Sequence, residues 1–206
     1  ANTTGAQNDA FGAFALDANT TASNNSAFGY GSLSANTTGT GNCAIGNLAL
    51  NACTTANYNT AVGGNSLDAS TTGAENTGVG YNALTSVTTS GYNVAMGVNA
   101  LRYNTAAYNT ALGHASSMNT AGGTRNTSVG ANALYTNVSG NYNVAIGYGS
   151  LYLNTASNNV AIGYDALTDC TTGGNNVAVG HEASNNITTG SNSVSIGYQA
   201  LHTCTT

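Results

Sequence analysis

The stretch NVAIGYDALTDCTTGGN, residues 159–175, is one unit of a repeat that runs through the whole chain. Its glycine, Gly163, has counterparts spaced about 17 residues apart from one end of the sequence to the other. We number each unit from its first residue, so that Asn159 is position 0 and Gly163 is position 4. A period this short and this regular is typical of arrays in which each unit stacks on the next.

Twelve units align on this glycine, which occurs at Gly12, Gly29, Gly46, Gly63, Gly80, Gly97, Gly113, Gly130, Gly147, Gly163, Gly180 and Gly197. Position 0 is asparagine in eleven units and serine in one: Asn8, Asn25, Asn42, Asn59, Asn76, Asn93, Asn109, Asn126, Asn143, Asn159, Asn176 and Ser193. The period predicts a single repeat array over residues 1–206, with coils starting near these twelve positions. Both ends of the sequence fall inside a unit, so we expect a fragment of a longer array.

The composition is unusually poor in charge. Charged residues make up 4% of the chain, against about a quarter in ordinary soluble proteins. Two basic and seven acidic side chains give a formal net charge of −5. There is no basic stripe to neutralise phosphates, so we expect no nucleic-acid partner. No apolar stretch approaches the roughly 18 residues that cross a bilayer, so we expect no membrane span in this segment.

A unit of this length is too short for two packed helices, but it can hold short strands. Positions 1–3, such as Val160-Ala161-Ile162, alternate large and small and carry β-branched residues, which predicts a short half-buried strand. The glycine at position 4 permits a bend, and we expect a second short strand at positions 7 and 8. The predicted fold class is all-β, a parallel β-solenoid or β-roll of about twelve coils and about 58 Å in length.

Two positions are predicted to form the hydrophobic core. Position 3 is always large and apolar, and position 8 is leucine in ten units and serine at Ser117 and Ser184. Stacked in register, their side chains form a continuous column. Positions 2 and 7 carry only Ala, Gly or Ser. Such small residues indicate close packing, either inside the coil or against a neighbouring chain.

Units 93–108 and 143–158 are each one residue shorter than the others, and the loss falls in their last segment. A place that tolerates deletion is a loop rather than a stacked strand. We therefore expect the Thr-rich segment around positions 12 and 13 to be the turn that returns the chain to the next coil.

The asparagines at position 0 raise the question of a ligand, because side-chain amides coordinate calcium and bind sugars. Stacked asparagines also bond to one another and to turn backbone, and we interpret the set as a structural ladder. The seven acidic residues do not recur at one position, which argues against a repeated calcium site. No nucleophile and base are held together by the repeat. We expect no catalytic residue, no metal site and no cofactor.

Threonine and tyrosine are the candidates for surface binding. Threonine occupies position 12 in ten units, at Thr20, Thr37, Thr54, Thr71, Thr88, Thr105, Thr155, Thr171, Thr188 and Thr205. Such ranks suggest ice binding, although their place in the variable loop argues against a flat face. Tyrosines at position 5 are predicted to form exposed patches that bind sugars or proteins, and these are Tyr30, Tyr81, Tyr148, Tyr164 and Tyr198. The same applies to four tyrosines that end their units, Tyr58, Tyr92, Tyr108 and Tyr142. Covering of coil edges is the alternative role.

The four cysteines allow several arrangements. Cys53, Cys170 and Cys204 occupy position 11, and Cys43 occupies position 1. Cys170 and Cys204 lie two coils apart, about 9–10 Å, which exceeds the usual span of a disulfide. A bridge between Cys43 and Cys53, small buried thiols, and bonds between chains near a symmetry axis all stay open.

Four segments carry a resemblance to a known family: NNVAIGYDAL (158–167), NYNVAIGYGSL (141–151), NNVAVGHEA (175–183) and NSVSIGYQAL (192–201). They resemble the head repeats of YadA-like trimeric autotransporter adhesins, and similar repeats occur in phage tail-fibre proteins. The resemblance implies a left-handed parallel β-roll, three chains packed side by side as a homotrimer, and exposure outside the cell for attachment.

The chain also departs from that family. Family repeats are often shorter than the units of this chain, and neither the coiled-coil stalk nor the membrane anchor occurs in this sequence. Only framework positions carry over, namely Asn159, Ala161, Ile162, Gly163 and their equivalents. No binding residue does, so the resemblance leaves the ligand undefined.

Together these observations predict a non-enzymatic structural module of an extracellular fibre, at a cell surface or on a virion. Its expected partners are copies of itself, and a host-surface glycan or protein. The alternative is a β-solenoid that binds glycan or ice through a flat Thr/Tyr face.

Overall fold

The computed structural model describes residues 2–202, which contain twelve strands of three residues each and no helix. The strands are β1 Asp9–Phe11, β2 Ser26–Phe28, β3 Cys43–Ile45, β4 Thr60–Val62, β5 Thr77–Val79, β6 Val94–Met96, β7 Thr110–Leu112, β8 Thr127–Val129, β9 Val144–Ile146, β10 Val160–Ile162, β11 Val177–Val179 and β12 Val194–Ile196. Each unit of the repeat contributes one strand, at positions 1–3.

The twelve strands form one parallel sheet in chain order, β1 to β12. Equivalent positions lie side by side, as where Ala161 pairs with Ala145 on one side and Ala178 on the other. Parallel strands that stack in chain order, each one coil after the last, make a β-solenoid. The predicted all-β parallel solenoid is therefore confirmed.

The strand residues that face the core are not those that the sequence predicted. In β2 to β12 the middle, small residue is buried, while the first and third residues are half-buried or exposed. The prediction that position 3 belongs to the core was wrong: Ile45 is 42% exposed, whereas its neighbour Ala44 is completely buried. Alternation still holds, because successive strand residues point to opposite faces, but the small residue takes the inside.

The side chains at positions 7 and 8 explain that orientation. In β5 the middle residue is Gly78, and a Cβ at that place would lie 2.6 Å from Ser66 Oγ and 3.4 Å from Leu67 Cγ of the preceding coil. These two side chains fill the narrow interior opposite the strand, so only a small side chain fits there. Leucines at position 8 are fully buried from Leu33 to Leu167, and the small residues at positions 2 and 7 pack with them inside the coil.

Positions 7 and 8 do not form the predicted second strand. Residues at positions 6 and 8 have positive φ, for example Asn82 at 56° and Leu84 at 55°. This left-handed conformation is incompatible with a strand and costs a non-glycine residue about 1–2 kcal/mol. Burying a leucine side chain stabilises the fold by about 1.5–3 kcal/mol, which offsets that cost. The turns remain bonded to neighbouring coils, since Asn82 N–H donates to Gly64 O and Leu84 N–H to Ala100 O.

The glycine at position 4 meets two constraints at once. Its φ lies between 127° and 141° in all twelve coils, a region that residues with a side chain rarely adopt. Successive glycines also approach closely: a Cβ on Gly63 would lie 2.6 Å from Gly80 O. Only glycine satisfies both the backbone angle and the close coil-to-coil contact.

Two coils replace the core leucine by serine, and the following coil compensates. Ser117 Oγ lies 2.8 Å from Ser128 Oγ, and Ser184 Oγ lies 2.6 Å from Ser195 Oγ. In each pair the partner stands at position 2 of the next coil, where alanine is usual. The buried hydroxyls therefore satisfy one another. The first pair also separates two hydrophobic clusters, one ending at Ala111 and the other starting at Ala133.

A substitution at the close glycine contact tests this account. Gly63→Ala should destabilise the rod by about 1–3 kcal/mol from backbone strain and about 1–3 kcal/mol more from the clash with the next coil. Gly197→Ala is the matched control, because Gly197 has a φ of 127° but nothing within 4 Å of an added Cβ. Urea unfolding of both variants gives the comparison. Equal losses at the two sites would show that the coil contact contributes nothing.

Candidate functional site

The outward strand face is a surface that repeats in every coil of the rod. We define it as positions 1 and 3 of β1 to β12, whose side chains point away from the core. The third residues are all large and apolar: Phe11, Phe28, Ile45, Val62, Val79, Met96, Leu112, Val129, Ile146, Ile162, Val179 and Ile196. Position 1 adds Thr, Val, Ser and Cys43, and Asp9 is the single charged residue of the face.

An aromatic column stands at position 5 of the last four coils. Tyr148, Tyr164, His181 and Tyr198 stack in that order, with ring centroids 5.4, 5.0 and 5.3 Å apart. All three tyrosines are about half exposed or more. The structure thus brings Tyr148, Tyr164 and Tyr198 of the predicted set together. It leaves Tyr30 and Tyr81 apart, since coils three and four carry Asn47 and Gly64 at position 5 between them.

Acidic residues surround this column. The Asp165 carboxylate raises the pKa of Tyr164 above its usual value. Burial raises the pKa of Asp165 itself, partly countered by its hydrogen bond to Tyr164. Glu182 Oε2 accepts a 2.7 Å hydrogen bond from Gln199 Nε2 and lies 3.6 Å from His202 Nε2. This end of the rod is therefore polar and weakly acidic.

A second column joins tyrosines at position 16, the last of the unit, with a cation. Tyr92 stacks on Tyr108 at 5.0 Å, and the Arg125 guanidinium lies 5.1 Å from the Tyr108 ring and 5.5 Å from the Tyr142 ring. Sequence reasoning identified these tyrosines but missed Arg125, which ends its own unit between them. Each such cation–π contact is worth about 0.5–1 kcal/mol at an exposed site, so the column also stabilises the stack.

A third aromatic contact, at position 9, was not predicted. Tyr135 stacks on Tyr152 with a centroid distance of 4.9 Å. The sequence could have indicated this contact, because the two tyrosines are separated by one full repeat unit. Aromatic residues at the same position of consecutive coils can therefore be stacking neighbours, as this pair and the column at position 5 are.

The asparagines at position 0 form a continuous ladder in which two hydrogen bonds recur at every step. Every Oδ1 accepts the backbone N–H of position 0 in the next coil at 2.9–3.0 Å. Every Nδ2 donates to the backbone carbonyl that closes its own coil, at 2.7–3.0 Å. Because both ends of the amide are bonded to the protein, and Asn25 to Asn176 are buried, these side chains have no free face for a ligand.

The threonines at position 12 are also bonded along the rod. Thr37 Oγ1 donates to Thr54 O at 3.0 Å, and Thr54 Oγ1 donates to Thr71 O at 3.2 Å. The same pattern recurs at Thr20, Thr71, Thr105, Thr155 and Thr171. The hydroxyl hydrogens of this rank are directed at the next coil, an arrangement that the sequence did not indicate. Thr205 lies outside the described residues.

Position 11 is buried in every coil that the structure describes there, by asparagine in five coils and by Cys, Ser, Thr, Val or Ile in the others. Asn36 Nδ2 donates to Gly39 O at 3.0 Å, and the Cys170 thiol donates to Gly173 O at 3.3 Å in the same way. Burial raises the pKa of the Cys53 thiol to about 11 and also raises that of Cys170, so both thiols are unreactive. Cys43, Cys53 and Cys170 are unbridged. Cys204 lies outside the described residues.

Groups suited to catalysis or metal binding are scattered. Within residues 2–202 no three His, Cys, Asp or Glu side chains are grouped so as to hold a metal ion. The same part of the chain has no helix long and apolar enough to cross a membrane.

Comparisons of the chain with protein-family models, with curated proteins and with solved structures gave no match. The function is therefore argued from the surfaces described above and from the resemblance of the repeat unit.

Position 9 carries a testable irregularity at Asp68. Four donors at this position bond to the position-6 carbonyl of the preceding coil: Asn51 to Gly31 O, Thr85 to Asn65 O, Thr168 to Gly149 O and Asn185 to Asp165 O. An ionised carboxylate has no hydrogen to donate, and Asp68 Oδ1 is buried without a hydrogen-bond partner. Burial raises the pKa of Asp68, with backbone N–H groups opposing the shift.

Replacing Asp68 by asparagine should stabilise the rod at neutral pH. We expect Asp68→Asn to raise the free energy of unfolding by about 0.5–1.5 kcal/mol at pH 7, the net value of a typical hydrogen bond. Because the carboxyl pKa is raised in the folded state, the wild type gains stability from Asp68 as pH falls, and the advantage of the variant shrinks towards pH 4. Urea unfolding at both pH values measures this. Asp9→Asn, on the exposed first strand, is the control, and a pH-independent advantage contradicts the explanation.

Proposed function

We propose that this chain is a non-enzymatic structural module of an extracellular fibre, a stiff rod that associates with copies of itself and serves attachment or surface presentation. The observation that carries the proposal is the outward strand face. An exposed, almost uncharged apolar surface that continues along the whole rod is characteristic of an interaction site. Its residues therefore favour a partner that covers the full length of the sheet.

The axial spacing of the face favours a second copy of the chain as that partner. Apolar side chains recur at every strand, about 4.8 Å apart. A partner matches such a surface over twelve strands only if its own side chains have the same spacing, and a copy of this chain has it by construction. The face measures about 58 Å by 10 Å, on the order of 600 Å² per chain, which approaches the roughly 800 Å² that each partner buries in a stable interface.

The number of associated chains and the extracellular setting are inferred from the resemblance of the repeat unit, not from the outward strand face. YadA-like heads imply three left-handed rods side by side, exposed at a cell surface, and the phage-fibre likeness implies a virion. In either setting the attachment mechanism is multivalent, since repeated weak contacts to a host-surface glycan or protein sum to high avidity. The alternative of a glycan- or ice-binding Thr/Tyr face has less support, because the threonine hydroxyls at position 12 donate along the rod.

Charge placed on the outward strand face should prevent association. Ile146→Glu puts a carboxylate at position 3 of β9 in every copy, where burial without a partner is costly. We expect the wild type to sediment as a trimer and Ile146→Glu as a folded monomer. Val138→Glu, an exposed valine outside the strands, is the matched control and should remain trimeric. A monomeric wild type, or equal disruption by both variants, contradicts the proposal.

The reactivity of the Cys43 thiol is a second test of the same face. It lies at position 1 of β3 and is half-buried in the single chain, whereas Cys53 and Cys170 are buried in the core. In a Cys204→Ser background, Cys43 should react slowly with a thiol reagent in the assembled protein and rapidly in the Ile146→Glu monomer. Equal reaction rates in the two proteins would place the interface elsewhere.

A further inference from the structure

A groove crosses the first three coils on positions other than the strand face. It encloses about 370 Å³, a volume within the range of small-molecule sites. Positions 5, 6 and 9 of neighbouring coils line it, through Phe14, Asp17, Tyr30, Gly31, Leu48 and Asn51. Because these positions lie after the turn at position 4, the groove is separate from the surface proposed for self-association.

A glycine stands in the row of position-6 residues that lines the groove. Gly31 lies between Phe14 and Leu48 of the adjoining coils, and the end of the Leu48 side chain covers it, because a Cβ on Gly31 would lie 2.8 Å from Leu48 Cδ2. Phe14 and Leu48 are the large apolar residues of this row, since position 6 in the later coils carries Asn, Ala, Gly, Asp, Glu or Gln. A glycine flanked by two large apolar residues at this position therefore occurs once in the twelve coils, a pattern that the repeat itself does not require.

The two walls of the groove differ in chemistry. Phe14, Tyr30 and Leu48 form an apolar and aromatic wall. The opposite row, at position 9, consists of Asp17, Ser34 and Asn51. Asn51 Nδ2 donates to Gly31 O at 3.0 Å and to Ser34 Oγ at 2.7 Å, so the polar wall is already fixed in place.

We propose that this groove binds one pyranose unit of a neutral glycan. A pyranose presents an apolar C–H face, which suits Phe14 and Tyr30, and a rim of hydroxyls, which suits the oxygen atoms of Asp17 and Ser34. Ligand sites typically combine an apolar lining with a few fixed polar groups, and the groove has both.

The aromatic geometry favours a sugar over a cationic group. The Phe14 and Tyr30 rings are 5.6 Å apart at 89°, so the edge of one ring covers a face of the other. A cage for an ammonium or guanidinium group requires several ring faces directed at the charge. Here one face is already used within the pair, and the remaining aromatic surface is an open platform on which a sugar ring can stack.

This binding activity goes beyond the structural role and does not depend on it. An assembly of copies repeats this groove in every chain. Simultaneous engagement of several sugars on one surface would raise the weak affinity of one groove by orders of magnitude.

The test places in the groove a residue type that this position already accepts. Gly31 has φ of 64°, and Asn occupies the same position with similar φ at Asn65, Asn82 and Asn99, so Gly31→Asn keeps the backbone conformation, and the added Cβ displaces only the end of the Leu48 side chain. Gly149→Asn, at the same position of coil nine with φ of 63°, is the matched control, because its added Cβ likewise meets only the end of a side chain, that of Asp165. Tyr30→Ala provides a second variant that removes the platform without filling the groove.

Binding is measured by saturation-transfer NMR with the methyl glycosides of glucose, galactose, mannose and N-acetylglucosamine. We expect the wild type and Gly149→Asn to bind at least one of them, and Gly31→Asn and Tyr30→Ala to lose at least ten-fold in affinity. Absence of binding to all four by the wild type, or equal binding by Gly31→Asn, overturns the proposal. Binding of tetramethylammonium or arginine in place of the sugars overturns the assignment to a glycan. Sedimentation of the same variants should be unchanged, which separates this result from the test of self-association.

Discussion

The asparagine amide at position 0 is the constraint on which the rest of the structure depends. Its oxygen fixes the start of the next coil and its NH₂ group closes its own coil, so one side chain sets both the axial register and the size of each turn. Buried polar groups are tolerated when fully bonded, and this ladder meets that condition from Asn25 to Asn176. The short coils keep it: Asn93 Nδ2 reaches Ala106 O although one residue is missing.

The period, the strand at positions 1–3 and the parallel stacking could be predicted from the sequence, because the spacing of the units and the alternation of large and small residues within them are visible there. Which face of the strand points to the core could not be predicted. An alternating triplet such as Val-Ala-Ile suggests that its large apolar residues face the core, yet Ala161 is buried and Ile162 faces outward. Which side is the inside depends on the leucine that fills the opposite wall. The left-handed residues at positions 6 and 8 were also missed, since Leu84 at φ 55° contradicts ordinary propensity.

The surface features follow from a division of the repeat unit into positions that packing fixes and positions that are free to vary. Positions 0, 2, 4, 7, 8 and 11 are committed to the interior or to coil contacts, and variation there is small or compensated except at position 11, which accepts Asn, Cys, Ser, Thr, Val and Ile. Positions 5, 6, 9 and 16 vary. Stacking of the coils places the residues of each such position in a column, so the side chains that meet are those that occupy the position in consecutive coils. The Tyr164–His181 stack, the Arg125 column and the groove at Gly31 were therefore beyond the reach of composition or single-unit reasoning.

The buried serine pairs limit how such an array can change in length. Each pair joins two repeat units, because Ser117 belongs to coil seven and Ser128 to coil eight. Recombination that deleted coil eight alone would set Ser117 against Ala145 and leave a buried hydroxyl without its partner, at a cost of about 1–3 kcal/mol. Deletion of coils seven and eight together would instead set Leu101 against Ala145, which restores the usual packing. At this point of the rod the unit of genetic exchange is two coils, although the unit of structure is one.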